Sequence, residues 1–199
     1  MVTTSKFGLI VLAAGLSERM GGPNKLLQPY LGMPLLAHAL KAAGGIPFKD
    51  RLAVTGRDFA EVGALAASYG FRCVHNPCFN EGMGTSIAAG ARAMRALDVE
   101  AAFIALGDMP GISAAAYGQL AQAFRRGAIV VPVCDGVRGH PVLFCKSYLP
   151  ELASLAGHRG ARSLLERHAA RVAEVKAADP GVLCDVDTPQ DFQKTKSLT

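Results

Sequence analysis

An apolar segment near the start of the chain ends in Leu12-Ala13-Ala14-Gly15-Leu16-Ser17-Glu18-Arg19-Met20-Gly21-Gly22, with Asn24-Lys25-Leu26-Leu27 close behind. Small residues directly after a buried strand let backbone N–H groups approach a ligand, and Ser17 adds a hydroxyl, so such a loop can cradle phosphates. Arg19 offers a planar fork and Lys25 a point charge, the cations that a triphosphate and a leaving pyrophosphate require. Either cation alone would read as a solvated surface residue; their shared place in a glycine-rich turn favours chemistry. The glycine spacing fits neither the dinucleotide fingerprint nor a Walker loop, and no Gly-Lys-Ser/Thr occurs.

Carboxylates that could complement these cations lie far along the chain. Residues 102–106 read as a strand running into Gly107-Asp108-Met109-Pro110, which puts Asp108 at a strand's C-terminal end, where ligands and metals gather in α/β sheets. Attack on an α-phosphate rests on alignment and charge neutralisation, for which Mg²⁺ is the usual device, and one or two carboxylates suffice to hold it. A second acidic motif, Asp185-Val186-Asp187-Thr188-Pro189, is equally readable as the cap of a helix beginning near 190.

Two further segments carry polar groups. Asn76-Pro77 and Glu81-Gly82-Met83-Gly84-Thr85-Ser86 precede a helical stretch and would offer free N–H groups and hydroxyls, although a plain capping loop explains them equally well. Glu81 could accept a hydrogen bond from a cytosine amino group, the base a carboxylate prefers. Arg138-Gly139-His140-Pro141 follows Asp135-Gly136, which reads as a hairpin or an excursion from regular winding.

The elements that must position these residues alternate. Continuous apolar runs at 9–14, 52–55, 72–75, 102–106, 129–133 and 142–144 read as strands covered on both faces, and 34–43, 58–69, 86–97 and 113–124 read as helices. This is an α/β pattern with helices on both faces of a mostly parallel sheet. After Tyr148 the chain reads as mainly helical, apart from 172–175 and 182–186. With 199 residues, half of them hydrophobic, we expect a single domain spanning 1–199.

Composition narrows the function classes. The net charge of +5 is spread along the chain, which suits small anionic substrates, and no RNA-binding aromatic motif or zinc finger argues for nucleic acid. The five cysteines form no C-x-x-C pair and include an odd member, so a disulfide framework or structural zinc is not expected and a reduced cytoplasm fits. Lys6 with the apolar run at 7–15 has the length of a secretory core, but the cations and glycines behind it make chemical sense only if that strand is retained, and no run reaches the roughly 18 residues of a membrane span.

Leu12-Ala13-Ala14-Gly15, Arg19-Met20-Gly21 and Asn24-Lys25-Leu26-Leu27 together resemble the signature of the molybdopterin nucleotidyltransferase-like family. Ala13-Ala14 before Gly15 and the Asn-Lys-Leu-Leu run are closer to the molybdenum cofactor cytidylyltransferases than to the guanylyltransferases. The motifs recur in family order from Leu9 to about Phe192. The resemblance implies a Rossmann-like three-layer α/β/α nucleotidyltransferase fold and transfer of CMP from CTP to the terminal phosphate of molybdenum cofactor, with release of pyrophosphate. It implies nucleotide contacts from Leu12, Ala13, Ala14, Gly15, Ser17, Arg19, Lys25, Glu81, Gly82, Ser86 and Asp108, with Lys25, Arg19 and Asp108 as the catalytic set. It implies Mg²⁺, or alternatively Mn²⁺, on Asp108 and on Asp187 rather than Asp185. The Gly-His-Pro segment lies on the acceptor side in such relatives, which implies acceptor contacts from Arg138, Gly139 and His140. Gly157-His158-Arg159-Gly160-Ala161-Arg162 departs from the family's Gly-Asp-x-Gly-Ala-Arg, with His158 in place of the acid. A molybdenum hydroxylase or its maturation chaperone would receive the product. The rival readings are GTP or another phosphorylated acceptor, and a carrier or insertion chaperone without turnover.

Overall fold

β1 (Phe7–Ala13) is buried along its whole length, as a strand without polar alternation must be. The computed structural model describes residues 4–17 and 22–194. Side chains of β1 divide between two cores. Leu9, Val11 and Ala13 pack with α1 (Leu35–Gly44), α2 (Phe59–Ser68) and α4 (Ala114–Ala123), whereas Ile10 and Leu12 pack with α3 (Met83–Arg95), α5 (Leu149–Leu152) and α6 (Arg162–Arg167). The helices therefore cover both faces of the sheet.

β1 lies between β4 (Asp50–Thr55) and β6 (Ala101–Leu106), parallel to both, and β5 (Arg72–His75) continues the parallel run beyond β4. On the other side β9 (Val142–Cys145) runs antiparallel to β6 and to β7 (Ile129–Cys134), and β10 (Val172–Lys176) pairs parallel with β7. The order is β10-β7-β9-β6-β1-β4-β5. This is the mostly parallel sheet with helices on both faces that the alternation of elements predicts, in the Rossmann-like α/β/α form that the family resemblance implies. The winding leaves β1 toward β4 and returns on its other side as β6, so the crevice beyond the carboxyl ends of β1 and β6 is the topological switch point, where ligands bind in such sheets.

Asp135-Gly136 forms the turn between β7 and β8 (Val137–Arg138), both residues having positive φ (50° and 77°), the two-residue hairpin geometry that Asp-Gly favours. Three features differ from the sequence expectation. A small hairpin of β2 (Pro29–Tyr30) and β3 (Met33–Pro34) turns on Leu31 and Gly32, both at positive φ, and a leucine there carries no turn signal. α3 begins at Met83 rather than 86, because Gly82 at φ 117° ends the preceding turn and the helix follows immediately. The apolar segment 182–186 forms no strand: Val182 closes a 3-10 turn over Pro180–Val182, its carbonyl accepts from the His140 N–H, and the Val186 N–H donates to the Asp108 carbonyl. Among the described residues no helix is long and apolar enough to cross a membrane.

Candidate active site

The loop after β1 and the loop after β6 face each other across the switch point. Asn24 caps a 3-10 turn over Lys25–Leu27 by accepting a hydrogen bond from the Leu26 N–H at 3.1 Å, and the Ser17 hydroxyl accepts from the Lys25 N–H at 3.1 Å. The glycine loop is thereby closed at its base, and the buried Lys25 side chain is directed at the end of β6. Its Nζ donates to Asp108 Oδ2 at 2.7 Å, to Asp187 Oδ1 at 2.5 Å and to the Val186 carbonyl at 3.0 Å. Burial alone would lower the pKa of this ammonium, but the Asp108 and Asp187 carboxylates outweigh it and hold the pKa above its ordinary value. Asp108 Oδ1 is buried and has no hydrogen-bond partner among the described residues.

The late acidic motif divides between a helix cap and an ion pair with Lys25. Thr188 and Asp191 exchange hydrogen bonds at the start of α7 (Pro189–Lys194) in a capping box, Asp191 Oδ2 accepting from the Thr188 N–H at 2.9 Å and Thr188 Oγ1 from the Asp191 N–H at 3.3 Å. Asp187, one residue earlier, is turned to Lys25. Burial, then the Asp187 and Asp108 carboxylates, raises the pKa of Asp185.

A cavity of about 300 Å³ opens over Lys25 and Asp108. Leu12, Ala14, Gly15, Lys25, Gly82, Ser86 and Asp108 line it, which brings together seven of the eleven residues singled out for the nucleotide. Ala13 faces the opposite core, Ser17 holds the loop's base, and Glu81 stands exposed outside the lining. Arg19 lies outside the described residues.

The stretch before α3 corrects one expectation, because its polar groups are largely used internally. The Gly84 N–H donates to the Gly157 carbonyl at 2.8 Å, and the buried amide of Asn76 donates to Thr85 Oγ1 and Ser86 Oγ at 2.9 and 3.0 Å. This packing explains Gly82 and Gly84: a Cβ would stand 2.4 Å from the Gly157 carbonyl carbon at the first and 2.6 Å from the Ala156 oxygen at the second. The close approach places His158 on the wall of this cavity.

Sequence reasoning also missed Arg57. From the end of β4 its guanidinium donates to the Leu16 carbonyl at 2.8 Å and the Gly22 carbonyl at 3.3 Å, clasping both sides of the glycine loop. A cation just beyond a strand's C-terminal end was the available signal.

A second cavity, of about 780 Å³, abuts the first and shares Leu12, Met83 and Leu106 with it. Arg138, Gly139 and His140 all line it, with Arg159 and Arg162 across from them. Arg138 is paired with Glu174 at 2.8 Å, and Arg159 and Arg162 both reach Glu166. His140 is half-buried, its Nδ1 shielded and without a partner among the described residues, and burial lowers its pKa against the pull of the Ile104 backbone, Asp108 and Asp185.

Two adjoining cavities lie at the switch point, the smaller lined by Lys25 and Asp108, and residues 9–172 match the MobA-like NTP transferase domain. The chain belongs to the MobA-like NTP transferase family. It is a nucleotidyltransferase. The molybdenum cofactor cytidylyltransferase of Escherichia coli K12 is 30% identical over 194 residues, covering 96% of each chain. A protein named nicotine blue oxidoreductase from Paenarthrobacter nicotinovorans is also 30% identical, over 93% of this chain and 94% of its own. Among solved structures, a manganese complex of Rv0371c from Mycobacterium tuberculosis superposes with a TM-score of 0.73 at 25% identity, over 98% of this chain and all (100%) of that one. Within this family of transferases, the glycine loop, the Lys25 triad and the paired cavities are the features of this chain from which a reaction can be built.

Proposed function

We propose that the chain transfers CMP from CTP to the terminal phosphate of molybdenum cofactor and releases pyrophosphate. The observation that carries this reading is the adjacency of the two cavities beside Lys25 and Asp108, which suits a nucleotide in the smaller and a bulky acceptor in the larger. The similarity to the Escherichia coli cytidylyltransferase supports the choice of substrates.

The acceptor's phosphate oxygen attacks the α-phosphorus of CTP. A new P–O bond forms, the bond to the β-phosphate bridging oxygen breaks, and its electron pair leaves with pyrophosphate. The attacking phosphate is already ionised at neutral pH, so no general base or covalent enzyme intermediate is needed. Backbone N–H groups of the Ala14-Gly15 loop and the Lys25 ammonium would bind the phosphates, with Arg19 as a further cation from the same loop. Arg138 and His140 would hold the acceptor.

The donor set fits Mg²⁺, with Mn²⁺ as the alternative. Two carboxylates from distant parts of the chain converge on one cation, and Asp108 keeps a buried oxygen without a partner among the described residues. Two carboxylates suffice for such an ion, which completes its shell with water and phosphate oxygens. When bound by Asp108 and Asp187, the metal would supply neutralisation of phosphate charge. A molybdenum hydroxylase, or the chaperone that matures it, would take the product.

The deciding experiment measures pyrophosphate release from each of the four NTPs with Mg²⁺, with and without purified molybdenum cofactor. Release only with CTP and the cofactor is expected. Release with GTP would overturn the base assignment, and silence with every nucleotide from folded protein would overturn the proposed substrates.

A further inference from the structure

The two carboxylates proposed to hold the metal are the same two that share the Lys25 ammonium, at 2.7 and 2.5 Å. A lysine that reached only toward phosphates would have no need of both. Its Nζ is bonded to three oxygens, one of them the Val186 carbonyl, and the side chain is only 9% exposed, so this arrangement satisfies every proton of the ammonium. A divalent cation arriving alone meets carboxylates whose charge is already compensated by a cation covalently tied to the glycine loop. It binds only by displacing the ammonium, which would leave a buried lysine without its partners, a costly state. A triphosphate changes the balance, because it offers the displaced ammonium a new anionic partner while adding oxygen ligands for the metal.

We infer that Lys25 is an interlock: its ammonium competes with the divalent cation for Asp108 and Asp187, so that the metal binds tightly only together with the nucleotide. This inference rests on the metal assignment proposed above. Lys25 thereby does two things in sequence. It holds the repelling carboxylates together before the substrate arrives, and it moves onto the phosphates as the metal enters. The Ser17 to Lys25 hydrogen bond anchors the backbone at the base of the loop, leaving the side chain as the part that moves.

The test is a titration with Mn²⁺ alone, following free Mn²⁺ by electron paramagnetic resonance, on the wild type, Lys25→Met and Lys25→Gln, each checked for its fold by circular dichroism and melting temperature. If the ammonium holds the site nine-tenths of the time, its removal tightens apparent Mn²⁺ binding by about tenfold. Adding Asp108→Asn to either variant should abolish that gain. Equal or weaker Mn²⁺ binding by folded Lys25 variants would overturn the interlock while leaving the metal assignment intact. Absence of Mn²⁺ binding from every protein, even with CTP present, would overturn the metal assignment and the interlock with it. A measurement on the wild type alone covers the case in which neither variant folds: amine labelling at Lys25, read by mass spectrometry, should speed up when Mn²⁺ saturates the site without nucleotide. An unchanged labelling rate at saturating Mn²⁺ would overturn the interlock.

Discussion

His140 sets a neutral imidazole against the wall of the larger cavity, and its depressed pKa links the site to folding. In the unfolded chain the ring takes a proton near its ordinary value of 6.5, whereas burial keeps it neutral in the native protein. The unfolded state thus binds more protons as the medium becomes more acidic, so the contribution of this residue is present above pH about 6.5 and is lost as pH falls below it. His140→Gln should flatten that part of the stability profile. Chemical denaturation of both proteins between pH 5 and 8 reads it: parallel curves would show that the ring does not titrate differently on folding. The same residue scale shows what a sequence can and cannot disclose. Asp108 was legible because one local fact, a carboxylate at the end of an apolar strand, placed it. Asp187 was not separable from its helix-capping neighbours by pattern alone, since capping and ion pairing ask for the same residue types; the structure gives the cap to Thr188 and Asp191 and the ion pair to Asp187.

Elements hold these residues through contacts between segments that no local pattern announces. Arg57 clasps the glycine loop from the end of β4, and the loop at 156–158 sits against the start of α3; both depend on topology, so the sequence signal for either was only a cation after a strand and a glycine cluster before a helix. The Leu31-Gly32 turn escaped notice for a different reason, that leucine rarely adopts positive φ. By contrast, the strands and helices with continuous or periodic apolar runs were readable to within a few residues, because burial on both faces leaves an unmistakable imprint on composition. The clasp predicts a kinetic phenotype. Arg57→Met removes charge-assisted hydrogen bonds to two carbonyls, so the loop should bind nucleotide less well and KM for the NTP should rise by roughly tenfold, the equivalent of one such bond. Turnover at saturation should change little, and the melting temperature should stay near that of the wild type. A KM equal to the wild-type value would exclude the clasp as a positioning device.

The whole molecule rests on one sheet with a core on each face. Phe103 in β6 is fully buried in the core that contains α1, α2 and α4, with Phe7, Phe48 and Tyr117 packed edge-on at ring distances of 6.1, 5.7 and 5.3 Å. Phe103→Ala should cost about 3–5 kcal/mol, measured by equilibrium unfolding in urea; a loss under about 1 kcal/mol would mean that the neighbours close the gap and that this cluster is not a centre of stability. The sheet also changes direction at β9, which runs against both of its neighbours. Much of the segment from that reversal to β10, with the β7–β8 hairpin beside it, builds the wall that carries Arg138, His140, Arg159 and Arg162, while the glycine loop and Arg57 belong to the parallel part wound earlier in the chain. Most of the polar lining of the larger cavity is therefore carried late in the polypeptide, so a descendant could reshape that lining and keep the glycine loop, provided that it retained Asp187 beside Lys25 and the residues common to both cavities among those described, Leu12, Met83 and Leu106.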